Sequence, residues 1–202
     1  MSSILRVEQL HTKAGGPFTF ALGSGQCLAI MGPSGAGKSL LLRALADLDP
    51  HRGAVFLRDA PQTAIAADVW RRQVMYVPAA AGWWADTVAA HVVAWTARAA
   101  DVAALGLAAD CGDWPVARLS SGERQRLALL RAVALEPAVL LLDEPTANLD
   151  ADTAQAVERW LVAHKAAGAA LVWVTHDAAQ AQRVGDRTLL LERDGLRGAS
   201  DA

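Results

Sequence analysis

The stretch Gly32-Pro33-Ser34-Gly35-Ala36-Gly37-Lys38-Ser39 brings three glycines, a lysine and hydroxyls together within eight residues. Glycine takes positive φ at no steric cost, so such a loop can turn several backbone N–H groups inward on one anion. Lys38 can reach the outer oxygens of a polyphosphate, and the Ser39 hydroxyl can ligate Mg²⁺. The apolar run Cys27-Leu28-Ala29-Ile30-Met31 precedes the loop, and Leu40-Leu41-Leu42-Arg43-Ala44-Leu45 continues it as a helix. That helix adds its N-terminal dipole and unpaired N–H groups to the same anion. A Gly-rich connecting turn would share part of this pattern. Between a strand and a helix, the stretch reads as a phosphate-binding loop.

Two carboxylates, Asp143 and Glu144, follow the apolar run Val139-Leu140-Leu141-Leu142. This puts them at the carboxyl end of a buried strand, where ligands bind in open α/β sheets. Asp143 can hold Mg²⁺ through a water, and Glu144 can polarise a water attacking phosphorus. Alone, Asp-Glu-Pro is also a common turn after a strand. Val172-Trp173-Val174-Thr175-His176-Asp177 repeats the arrangement on a second strand, where the His176 imidazole can donate a hydrogen bond to a terminal phosphate. In Leu119-Ser120-Ser121-Gly122-Glu123, Ser120 and Glu123 have the spacing of a helix capping box. The same helix start offers hydroxyl and backbone N–H groups to an anion, and both readings can hold together.

In this order, the phosphate loop, Leu119 to Glu123, Leu140 to Thr146, Asn148-Leu149-Asp150 and Thr175-His176-Asp177 resemble the ATP-binding cassette (ABC) ATPases over about residues 4–192. The resemblance implies a P-loop NTPase (RecA-like) α/β core with an antiparallel β subdomain and a short inserted helical subdomain at about 79–120. All of this lies in a single ABC ATPase domain spanning 1–192. It implies ATP and Mg²⁺ as cofactors, with Gly32 to Leu40 as the phosphate site, His11 beside the base, and Ser39 and Asp143 on the metal. Lys38, Glu144 and His176 are the implied catalytic residues. Ser120, Ser121, Gly122 and Glu123 form the implied signature motif, which elsewhere in the family usually reads Leu-Ser-Gly-Gly-Gln. The motif would meet the ATP of a second ABC subunit in a head-to-tail dimer, homo- or heteromeric, and Asp150 would cross the same interface. The implied function is ATP hydrolysis that energises a separate membrane permease, with the chain cytoplasmic and peripheral at the inner face of the membrane. Trp83 and Trp84 fall where the family's helical lobe grips the permease. The compact lobe and the stretch Trp173 to Asp177 look like small bacterial cassettes of the iron-export type.

The chain departs from the family pattern at three places. Tyr76-Val77-Pro78 is followed by Ala79, where the family places the Q-loop glutamine. Leu40 replaces the usual threonine after Ser39, and His11 stands where an aromatic normally stacks on adenine. Ala79 and Leu40 favour a second reading, a nucleotide-driven binding module with little hydrolysis. A third, a soluble ABC protein of DNA repair or translation, would call for a coiled-coil or zinc-binding insertion.

Short alternating or apolar runs at Ile4–Leu10, Phe18–Leu22, Cys27–Met31, Ala54–Arg58, Gln73–Val77, Val139–Leu142, Ala169–Thr175 and Thr188–Leu191 are expected as strands. Helices are expected at Gly37–Leu48, Ala64–Arg71, Asp86–Gly106 with one break near Ala99-Ala100-Asp101, Ser121–Leu135, Ala151–Ala167 and Ala178–Gln182, with residues 193–202 a loose tail. Strands alternating with helices make a doubly wound sheet. With 53% hydrophobic and 20% charged residues, the chain can bury a sizeable core. Nineteen basic against 21 acidic residues give a net charge of −2, which offers no electrostatic footprint for nucleic acid. Cys27 and Cys111 lack metal-ligand or disulfide spacing. The N-terminal residues lack a signal-peptide pattern, and no run approaches the ~20 apolar residues that span a bilayer.

Overall fold

The computed structural model describes residues 3–192 and 195–198. Along β1 (Ser3–Thr12), Leu5, Val7 and Leu10 are fully buried while Glu8 and Gln9 face solvent. The two-residue alternation slips at Gln9, whose φ of 48° marks a bulge that returns Leu10 to the core. The bulge needs Gly53 opposite it, because a Cβ there would stand 2.3 Å from the Gln9 carbonyl oxygen. β1 pairs antiparallel with β2 (Gly15–Gly23) and β4 (Arg52–Leu57), and β5 (Ala60–Pro61) closes the edge in the order β2-β1-β4-β5.

The second sheet has the order β10-β9-β3-β8-β7-β6, formed by Gly195–Gly198, Arg187–Glu192, Cys27–Met31, Ala170–Val174, Val139–Asp143 and Val74–Val77. Every pairing in it is parallel except β10 with β9. All residues of β7 and β8 are buried, as expected of strands covered on both faces. Leu28, Ile30, Leu141, Val172 and Val174 point to one side, towards α1 (Lys38–Leu45) and the antiparallel sheet. Leu140, Leu142, Leu171 and Trp173 point to the other, towards α4 (Ser121–Val133), α5 (Ala151–Ala166) and α6 (Ala178–Val184). The chain is therefore a doubly wound α/β core with an antiparallel sheet packed on one face.

Two expectations need correction. The run Asp86–Gly106 is not one broken helix. Its regular part is α3 (Ala99–Ala104), preceded by 3₁₀ turns at Ala89–His91 and Trp95–Ala97. The His91 imidazole is responsible for the first departure. Its Nδ1 lies 2.9 Å from the Thr87 carbonyl, the acceptor an α-helix would reserve for the His91 N–H, which bonds Val88 instead. Thr87, Val88, Val92 and Val93 also disfavour the helix through their β-branches, and Ala94 breaks it with a φ of 52°. The C-terminal stretch expected to be loose contains β10, whose residues 195–198 extend the sheet. The rest of 193–202 lies outside the described residues. Smaller shifts place Gln73 at the end of α2 (Ala67–Gln73) rather than in β6.

Trp70 on α2 is fully buried, and its indole Nε1–H donates to the Leu45 carbonyl at the end of α1 over 2.9 Å. Trp70→Phe leaves that carbonyl without its partner inside the core. It should lower unfolding free energy by about 1–3 kcal/mol, seen as a lower urea midpoint at unchanged slope.

Candidate functional site

The strand register assembles the site. Ile30 of β3 pairs with Val174 of β8, and Val174 pairs with Asp143 of β7. The chain leaves all three strands at one edge of the sheet, delivering Gly32–Ser39, Asp143–Glu144 and Thr175–His176 side by side. With β8 between them, the phosphate loop and Asp143 are separated by two strand spacings, about 10 Å.

At the loop, Gly35 and Gly37 hold φ of 77° and 98°, and Gly37 caps α1 in the left-handed conformation. The Leu41 N–H closes the first helical bond on Gly37, so the N–H groups of Lys38, Ser39 and Leu40 lie ahead of it and are available to an anion. A Cβ at Gly35 would meet nothing within 4 Å, so the cradle is open above it. Lys38 is buried, and its ammonium donates to the carbonyls of Gly32 and Pro33 at 2.7 and 3.0 Å. A cation is thus held at the lip of the loop, where a phosphate can share it. The β1–β2 turn lies directly against the loop: a Cβ on Gly37 would be 2.0 Å from that of Ala14. His11, three residues before Ala14, is exposed, with its Nδ1 2.8 Å from the Gln9 carbonyl.

Asp143 is buried, and its Oδ2 accepts from the Tyr76 hydroxyl over 2.9 Å. Burial first, and then the Asp143 charge, push the phenol well above its ordinary pKa, so Tyr76 stays a donor. Among the described residues the other Asp143 oxygen has no hydrogen bond, which leaves it for a divalent ion together with the Ser39 hydroxyl. The residues therefore fit Mg²⁺ held between protein and phosphate oxygens. Glu144 adopts a φ of 47°, unusual for a residue with a Cβ, and its N–H bonds the Val174 carbonyl over 3.1 Å. That turn aims its carboxylate at His176, whose Nδ1 lies 3.3 Å from Glu144 Oε2. Glu144 and His176 thus stand next to each other in space.

Ser120 to Glu123 form the start of α4. The Ser120 hydroxyl accepts from the Glu123 N–H and donates to Glu123 Oε2, whose carboxylate also takes the Ser120 N–H. These bonds, the backbone one first, hold the Glu123 carboxyl below the usual range. Gly122 packs against the segment before α5, since a Cβ there would be 3.2 Å from Leu149 Cδ2. Asp150 caps α5 through the Thr153 N–H and hydroxyl. Among the described residues, no hydrogen bond or ion pair joins these groups to the phosphate loop, Asp143, Glu144 or His176.

Residues 16–147 match the family model described as ABC transporter. The chain is 41% identical over 204 residues to the aliphatic sulfonates import ATP-binding protein SsuB of Pseudomonas entomophila, covering 96% of this chain and 69% of that protein. It is 34% identical over 187 residues to a sulfate/thiosulfate import ATP-binding protein CysA of Agrobacterium fabrum, covering 86% and 55% respectively. The chain belongs to the ABC transporter family.

Its fold is likewise that of a solved ATP-binding subunit of an ABC transporter, with a TM-score of 0.88 at 24% identity over 98% of this chain and 91% of that one. A dimeric ATP-binding cassette in a post-hydrolysis state with ADP and Pi superposes with a TM-score of 0.79 at 22% identity, over 96% of each chain. As an ABC ATP-binding domain, the chain binds ATP. It spans 55 to 69% of the length of the two relatives named above. Both are named for import, so the resemblance to iron-export cassettes is not the one these relatives carry. Sequence reasoning passed over Tyr76 as the partner of Asp143. The available signal was that the chain's single tyrosine sits in an otherwise apolar strand run, where a half-buried phenol needs an acceptor.

Gly37→Ala should strain the left-handed cap and collide with Ala14. ATP affinity, followed by titration with a fluorescent nucleotide, should fall by about tenfold or more. Adding Ala14→Gly removes the collision but not the strain and should recover only part of the loss.

Proposed function

We propose that this ABC domain hydrolyses ATP and thereby powers a separate membrane permease, working as a dimer with a second ABC subunit. The observation that carries hydrolysis is the Glu144–His176 pair standing beside Asp143 at the sheet edge that also bears the phosphate loop. Backbone N–H groups of the loop and the Lys38 ammonium bind the phosphates, and the open cradle at Gly35 leaves room for them. Ser39 and Asp143 would hold Mg²⁺, which would supply neutralisation of phosphate charge. Glu144 accepts the proton of the attacking water; His176, as the imidazolium, donates through Nδ1 to Glu144 Oε2 and through Nε2 to the transferred phosphoryl group.

Dimerisation is supported by Ser120–Glu123 and Asp150, which among the described residues no hydrogen bond or ion pair joins to the chain's own phosphate loop. Docking on a permease is supported by Trp84. Its ring is 72% exposed while Trp83 packs on the core, and the Arg131 guanidinium lies 4.7 Å from the Trp84 ring centroid. No helix of the described residues is long and apolar enough to cross a membrane, consistent with a domain held at the cytoplasmic face by its permease. The importer names of the relatives support uptake as the direction of transport. Residues 1–192 form the domain, with 79–120 as the lobe that meets the permease.

Glu144→Gln tests the hydrolytic reading. It should keep ATP binding and lower turnover by about 10² or more, so that an ATP-bound dimer accumulates in size-exclusion chromatography. Turnover near the wild-type rate would remove Glu144 from the chemistry.

A second reading, ATP-driven closure with little hydrolysis, is favoured by Ala79, which is exposed after β6 and offers only a methyl group. Losing one preorganised polar contact at a reaction centre typically lowers the rate by ~10²-fold. Slow basal turnover is therefore expected, and Ala79→Gln should raise it with ATP affinity unchanged within a few-fold. A fast wild type that Ala79→Gln leaves unaltered would exclude this second reading.

A further inference from the structure

Beneath the reacting pair lies a buried polar network that the proposed chemistry does not use. The Gln180 side chain on α6 is buried, and every polar group of its amide is engaged. Its Nε2 donates to Thr146 Oγ1 at 2.7 Å and to Glu158 Oε1 at 2.8 Å, and its Oε1 accepts from Trp173 Nε1 at 3.2 Å. Only one orientation of the amide is possible. Reversed, it would turn its oxygen on the Glu158 carboxylate and its NH₂ on the indole N–H. Glu158 on α5 is in turn held by Arg183 through two bonds of 2.9 and 3.0 Å. Burial pushes its carboxyl up, but the bonds from Arg183 and Gln180, with the Arg183 charge, outweigh this and keep it below the usual range.

Thr146 links the network to the chemistry. It sits in a turn closed by Ala147 N–H to Glu144 carbonyl and Leu149 N–H to Thr146 carbonyl bonds, at 3.2 and 3.1 Å. Glu144 begins that turn in its left-handed conformation, and Asp150 follows its end. Such a φ is strained for a residue with a Cβ and persists only where the surroundings over-determine it. A cleft of about 460 Å³ has Glu144 and His176 among its lining residues, together with Thr146, Glu158 and Gln180, so the network borders the reacting pair.

We infer that Gln180 is a positioning residue for hydrolysis. By clamping Thr146 to Trp173 and Glu158, it holds the strained turn that aims Glu144 at the phosphate. The inference rests on the hydrolytic reading above.

The test compares steady-state ATPase rates and nucleotide affinity of the purified protein with those of Gln180→Leu, Thr146→Val, their double variant and Thr146→Ser. Each of the first two should lower kcat by about tenfold or more, because a small misplacement of the base is costly, while the dissociation constant for ATP stays within about threefold. The double variant should be no slower than the worse single, since both cut one link. Thr146→Ser, which keeps the hydroxyl, should turn over near the wild-type rate. Thr146→Val disturbs no buried charge and carries the test alone should Gln180→Leu not fold. The inference is overturned by singles that retain wild-type kcat, by losses that multiply in the double, or by kcat and affinity falling together. A wild type without ATPase activity would instead overturn the hydrolytic reading itself.

Discussion

Ile30 against Val174, and Val174 against Asp143: two parallel pairings hold the phosphate loop, Asp143 and His176 in line. Parallel strands have no tight turn to fix their register, so it must come from the packing of side chains on both faces. Here β7 and β8 are wholly buried, and alternate residues commit to opposite cores. A slip of one residue would exchange the two sets and move Asp143 and His176 away from the phosphate loop. The ladder also continues past the strand ends, where the Thr175 N–H bonds Ile30 and the Glu144 N–H bonds Val174, at 3.2 and 3.1 Å. The sheet thus reaches into the first residues beyond its strands.

That rigid edge allows strain to be stored beside it. The left-handed backbone at Glu144 costs on the order of 1–3 kcal/mol. Fully burying one leucine side chain contributes about 1.5–3 kcal/mol, and β7 alone buries three. The apolar strand therefore offsets the turn that follows it. At the phosphate loop, glycine relieves the same problem at Gly35 and Gly37. Glu144 carries a carboxylate where glycine would relieve the strain, and neighbouring hydrogen bonds to its N–H and carbonyl hold it.

Where the chain's chemistry is local in sequence, the sequence displays it. Gly32–Ser39 carries its own turn-forming residues, and the apolar runs of β3, β7 and β8 announce buried parallel strands. Other features depend on groups far apart in the chain. Tyr76 meets Asp143 only once β6 has paired with β7, and Ala14 meets Gly37 only once the two sheets have packed. The Asp86–Gly106 run shows a different limit. Its alanines favour helix, but the His91 ring captures the Thr87 carbonyl and supports the loop at Trp84 and Ala85 through their N–H groups, at 2.9 and 3.0 Å. Composition cannot show a side chain displacing a backbone bond. β10 was hidden for a simpler reason: four residues that add to a sheet edge through backbone bonds need no side-chain period.

The helix start at Ser120 shows how capping decides which atoms remain for a ligand. The capping box uses the Ser120 hydroxyl twice, as acceptor from the Glu123 N–H and as donor to its carboxylate, and uses the Ser120 N–H once. The first helical bond is closed by the Arg124 N–H on the Ser120 carbonyl. Between these, the N–H groups of Ser121 and Gly122 have no partner among the described residues and lie at the positive end of the α4 dipole. Gly122 is also pressed against Leu149, so a side chain there would push the helix start from the Asp150 segment. A phosphate brought to this surface would meet backbone N–H groups and the Ser121 hydroxyl before it met Ser120. The Glu123 carboxylate, held low by the same cap, stays charged beside that position, so the ligand's negative charge has to be balanced from its other side. A second subunit's phosphate loop, with its lysine and helix start, would supply that balance.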